Sequence, residues 1–143
     1  MTTAENKKVI AMFVEDVINQ GRLDRINDLV VDDFVELDPL PGQQQGREGL
    51  KEIIGRIRTA FPDIHWVLEE MVAEGDKVFC RFTWSGTHRG SFLGIPATGK
   101  RINVKGVVID RLLGGKMADS RILIDNLSML QQLGALPAAQ TAS

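Results

Sequence analysis

Apolar residues return at helical spacing at the start of the chain, where Val9, Ile10, Phe13, Val14, Val17 and Ile18 form one stripe. Thr2-Thr3-Ala4-Glu5 ahead of it has the form of a capping box, and Gly21 is the expected stop. A second short helix turns Leu23, Ile26 and Leu29 or Val30 inward, with Asp24, Arg25 and Asp28 in water. Phe34 to Pro39 alternates as a short strand until Pro39, Pro41 and Gly42 break it. A third helix, roughly Arg47 to Ala60, carries Leu50, Ile53, Ile54 and Ile57 on one face and ends at Phe61-Pro62. Gly49 and Gly55 weaken it, which close packing would explain.

From Asp63 the period changes to two. Ile64, Trp66, Leu68, Glu70 and Val72 alternate with their neighbours, Glu74-Gly75-Asp76 turns the chain, and Val78, Cys80, Phe82 and Trp84 share the next strand face. Arg101 to Leu113 and Met117 to Ile124 make a further hairpin around Gly114-Gly115, and Asn126 to Leu133 closes as a helix stopped by Gly134. Helices first and a strand meander second is an α+β pattern, with the helices over one face of a curved, mainly antiparallel sheet. Such a sheet folds into a cone whose mouth the N-terminal helices close, leaving a deep apolar pocket. One domain is expected over residues 4–137, with a flexible tail at 138–143.

Composition narrows the functions. With 17 basic and 19 acidic residues the net charge is -2, and no Lys/Arg run exceeds two, so nucleic acid is not an expected partner. The single cysteine, Cys80, excludes an internal disulfide, and with two histidines it argues against structural zinc. Cys80 is expected to pack rather than react. MTTAENKK lacks the apolar core of a signal peptide and no 18-residue apolar run occurs. A reduced cytoplasmic location without membrane contact is expected. Gly94 to Lys100 satisfies the phosphate-loop spacing, but Arg101 replaces the required Ser/Thr and a strand follows, so it is no nucleotide loop.

An ordered set of motifs carries a family likeness: Phe61-Pro62-Asp63, Glu74-Gly75-Asp76-Lys77-Val78, Gly86-Thr87-His88-Arg89-Gly90, Gly94 through Lys100, Gly115-Lys116-Met117, Asp125, and Gln132-Leu133-Gly134. Together they resemble the SnoaL-like polyketide cyclases, a branch of the NTF2-like superfamily with the ketosteroid isomerase fold. The resemblance covers about residues 5 to 137. It implies a cone-shaped α+β barrel, often a homodimer, that binds a small apolar molecule. It also implies intramolecular aldol ring closure with neither metal nor organic cofactor. The chain departs from the family at Leu37, where a histidine is frequent, and at Arg121, where a tryptophan is.

The residues for chemistry follow from alternation and from that likeness. Period two places Met117, Asp119, Arg121, Leu123 and Asp125 on one strand face. Alternation leaves open which face points inward, and the resemblance favours this one. Asp125 matches the family's acid/base aspartate; by position it is also a cap for the final helix. Arg121 is either a clamp on a substrate oxyanion or carboxylate, or an exposed arginine paired with Asp119 or Glu36. His88 either positions a substrate carbonyl as a second acid/base or braces the Gly-rich connection. Trp66, Phe82, Trp84, Phe92 and Met129 are candidates for the cavity wall, with ordinary core packing as the alternative. Two other functions fit the same fold. One is epoxide opening of the limonene epoxide hydrolase type, with Arg121 beside Asp119 or Asp125; the other is a non-catalytic binding module.

Overall fold

Thr2 caps the first helix, α1 (Thr3–Met12), its side chain accepting the Glu5 N–H at 3.1 Å. The apolar stripe then continues as a π-helical stretch, Phe13–Asn19, which buries Phe13, Val14, Val17 and Ile18. It stops at Gly21, whose φ of +76° suits a residue without Cβ. A 3-10 turn (Leu23–Arg25) leads into α2 (Ile26–Leu29) and β1 (Val30–Glu36). Then come α3 (Gly46–Ala60), β2 (His65–Glu74), β3 (Lys77–Thr87), β4 (Arg101–Leu113), β5 (Lys116–Ile124) and α4 (Asn126–Gln132). The computed structural model describes residues 1–136, so the tail expected at 138–143 lies outside the described residues.

The sheet order is β1-β5-β4-β3-β2. β2 through β5 form an antiparallel meander, and β1 adds to β5 in parallel. This confirms the α+β class and corrects the barrel: β1 and β2 do not pair, so the sheet stays open. α3 packs on β1 and α1 on β2, so helices cover the inner face that strand closure would otherwise seal. β1 begins at Val30, four residues before the expected strand, because its partner lies far along the chain and no local turn announces it.

Two bulges decide which side chains face the helices. In β2 the register slips between Leu68 and Glu70, so Trp66 and Leu68 point inward before the slip and Met71 and Ala73 after it. In β5 the slip leaves Ala118 between Met117, opposite Leu112, and Asp119, opposite Arg111. Met117 and Ala118 are both buried, and from there Ser120, Ile122 and Ile124 turn inward. Glycine at 106 is required by packing, since a Cβ there would stand 2.4 Å from Phe82 Cζ. That ring lies flat against Trp66, with centroids 3.8 Å apart.

Candidate active site

Between the inner sheet face and α1, its π-helical continuation and α3 lies a cavity of about 590 Å³. Its walls are mostly apolar: Ile10, Phe13, Val14 and Ile18 from the first helix, Leu50, Ile53, Ile54 and Ile57 from α3, and Trp66, Trp84 and Phe92 opposite. Polar groups gather on the β1–β5–β4 side. Glu36, Ser120 and Asp110 line the cavity there, with Asp38 at the end of β1. Leu37 N–H donates to the Ser120 carbonyl at 2.9 Å, and Asp38 Oδ2 accepts the Ile122 N–H at 3.0 Å. The first bond extends the parallel ladder, and the second, accepted by a side chain, helps fix the strand end that carries Glu36.

Asp110 is the most deeply buried carboxyl, 3% exposed, and its Oδ1 has no hydrogen-bond partner. Burial pushes its pKa up to about 7; the Ser120 hydroxyl opposes the rise, and the charges of Glu36 and Asp119 add to it. Glu36 is also pushed up to about 7, first by burial, against the Asp38 N–H that reaches its Oε2 at 3.2 Å. Two carboxyls that can hold or release a proton near neutrality thus share one apolar cavity. That is the electrostatic setting of acid/base work.

The expected site is only partly assembled. Asp125 is exposed and caps α4, its Oδ1 accepting the Ser128 N–H at 3.0 Å. Arg121 is exposed on the outer face, and Asp119 pairs instead with Arg111 at 2.7 Å. Neither Asp125 nor Arg121 lines the cavity. The Ala118 bulge is the reason: unbroken alternation from the buried Met117 would have turned this face inward, and one extra residue reverses it.

His88 is completely buried, yet it stands off the cavity, stacked on Phe61 at 5.4 Å. Its Nδ1 accepts the Thr98 N–H at 3.2 Å, which braces the Gly-rich connection. Trp66, Trp84 and Phe92 line the cavity. Phe82 and Met129 do not; both are buried in the core behind it. Cys80 is buried and its thiol is pushed up to about 12 by burial, with the charge of Asp110 adding to it, so it stays protonated. Asp110, Glu36 and Ser120 were not among the expected site residues. A signal for Asp110 was present, since it is the one acid on a strand parity otherwise held by Ile102, Val104, Gly106, Val108 and Leu112.

No helix of the described residues is long and apolar enough to cross a membrane. Residues 8–133 match the family model of the SnoaL-like polyketide cyclases. A nogalonic acid methyl ester cyclase from Streptomyces nogalater is 28% identical over 118 residues, spanning 81% of this chain and 88% of the relative. The aklanonic acid methyl ester cyclase DauD from Streptomyces sp. (strain C5) is 28% identical over 121 residues, 81% of this chain and 74% of the relative. The solved structure of TsrD from Streptomyces laurentii superposes with a TM-score of 0.87 at 30% identity, covering 95% of this chain and 99% of that one.

Proposed function

This chain belongs to the SnoaL-like polyketide cyclase family, and we propose that it closes a ring on an apolar, carbonyl-bearing, polyketide-like substrate by intramolecular aldol addition, with Asp110 in place of Asp125 as the acid/base. The observation that carries the reading is a carboxyl 3% exposed in the cavity wall with an unpartnered oxygen. Ionised, Asp110 removes a proton from the carbon next to a carbonyl. The enolate carbon attacks a second carbonyl of the same molecule, and the alkoxide formed takes up a proton. Atoms balance, so product and substrate are isomers. The indole N–H groups of the cavity-lining Trp66 and Trp84 are buried without an acceptor and are available to hold substrate oxygens.

The acidic side of the cavity also bears on the substrate. Glu36, Asp38 and Asp110 repel a free carboxylate, so an esterified acid is the better fit. The two curated relatives described above are named for methyl esters. The epoxide-opening alternative loses its basis, because Arg121 is exposed and Asp119 is held by Arg111. The homodimer implied by the family resemblance belongs to the same proposal. Sedimentation equilibrium tests it, and a particle of 15.8 kDa would overturn it.

Nogalonic acid methyl ester and aklanonic acid methyl ester are the probes for the reaction. Incubation with the purified protein is expected to convert one of them to an isomer of unchanged mass with one ketone carbon fewer. Recovery of both esters unchanged, with the protein folded, counts against the reading; binding without conversion would favour a non-catalytic module.

A further inference from the structure

Glu36, Ser120 and Asp110 occupy one row across three adjacent strands. Glu36 of β1 is the register partner of Ser120 in β5, and Ser120 is the register partner of Asp110 in β4. All three side chains line the cavity. Two strand spacings separate the outer members, so their Cα atoms stand roughly 9–10 Å apart with the serine between them. The Ser120 hydroxyl bears on the Asp110 carboxyl, and Glu36 lines the same cavity on the strand beyond; a hydroxyl between two carboxyls can donate to one while it accepts from the other. The unpartnered Oδ1 of Asp110, in a residue 97% removed from water, is a polar atom that nothing among the described residues satisfies. A row with an orphaned acceptor is built for something beyond packing.

We propose that Glu36 is a second catalytic carboxyl, sharing a single proton with Asp110 across the Ser120 hydroxyl, so that the cavity holds an acid and a base at once. Its chemistry rests on the cyclase reading, and the proton sharing stands without it. Ring closure needs both groups, because the carbon must lose a proton and the new alkoxide must gain one. Asp110 takes the proton from carbon, and the Glu36 carboxyl gives its proton to the alkoxide oxygen. The pair is left reversed, with Asp110 protonated and Glu36 ionised. Ser120 resets it by accepting the proton of Asp110 while passing its own to Glu36. No proton is lost or gained overall.

The surroundings favour one charge on the pair rather than two. Asp110 faces Ser120 from β5 and Glu36 from β1, with the Asp119 charge on the far side of the sheet and the Cys80 thiol on β3 near enough to feel it. Glu36 faces the Asp38 charge and the N–H groups of Leu37 and Asp38. Among the described residues the helices contribute apolar side chains to the cavity apart from Asn126 of α4, which is uncharged, and Arg58, which is held by the Ile18 and Asn19 carbonyls. Burial raises both carboxyls, and the charge of Glu36 raises Asp110 further. Two like charges in one row cost more than one, so the first ionisation delays the second.

Carbon-13 NMR titration of protein labelled at the Asp γ- and Glu δ-carboxyl carbons tests the sharing without any substrate. In the wild-type chain the Asp110 and Glu36 resonances are expected to titrate in two steps, each reporting the ionisation of the other. In Glu36→Gln, Asp110 should titrate in one step with its midpoint at lower pH. In Ser120→Ala the midpoints of both carboxyls should move, because the bridging donor is gone. One-step wild-type curves, or an Asp110 midpoint unchanged by Glu36→Gln in a folded variant, would overturn the proposal. Should Glu36→Gln not fold, the shape of the wild-type curves decides. Failure of the ester probes alongside coupled titration removes the cyclase reading and leaves the pair; turnover with uncoupled titration removes the pair and leaves the cyclase.

Discussion

Asp110 has a measurable consequence even without a substrate. Its pKa of about 7 in the folded protein lies above that of an unfolded chain, near 4. Between these values the native state binds the proton and the unfolded state does not, so this contribution to stability is full below about pH 4 and is lost as the pH rises through about 7. Urea unfolding at pH 5 and pH 8 should therefore show a loss from this group of about 2–3 kcal/mol on going up in pH. Asp110→Asn is expected to remove most of that loss, and an equal loss in the variant would refute the assignment. Asp125 makes the opposite case. As an exposed cap of α4 it accepts one N–H, so Asp125→Ala should cost about 1 kcal/mol in urea unfolding and leave catalysis intact.

At the scale of elements, the two glycines of α3 behave differently. A Cβ on Gly49 would stand 1.9 Å from the Gln44 carbonyl oxygen, whereas one on Gly55 meets only Leu23 Cδ1 at 3.6 Å. Gly49→Ala should destabilise by about 1–3 kcal/mol or more, while Gly55→Ala should stabilise by about 0.5–1 kcal/mol through helix propensity. Thermal melts of the two variants check both signs; a stable Gly49→Ala would mean that the loop before α3 yields freely. The helices and the four-strand meander were legible in the sequence because both rest on local periodicity and on Gly-marked turns. The start of β1 was not, because its parallel pairing with β5 has no local signal. Nor was the inward face of β5. Ala118 has no feature that marks it as a bulge, yet it turns Ser120 inward and sets Arg121 and Asp125 outside. Trp66 and Trp84 face the cavity by simple strand alternation, and Phe92 reaches it from the Gly-rich connection.

For the whole molecule, an open five-strand sheet under a helical cover creates one large apolar cavity with a carboxyl-rich side. The family likeness was legible over most of the chain because it rests on turn and loop motifs, which tolerate a change of strand face. The proposed reacting residues were not, because they depend on which face points inward. The family's expected aspartate position is occupied in this chain by a helix cap, and the buried acid stands on the neighbouring strand. The most direct measurement is therefore turnover of the methyl ester probes by Asp110→Asn and Asp125→Asn side by side, with both variants shown to be folded. Asp110→Asn should lose about 10²–10⁴-fold in kcat, with Asp125→Asn close to the wild-type protein. A catalytically intact Asp110→Asn beside an inactive Asp125→Asn would contradict the assignment of the reaction to the buried carboxyl.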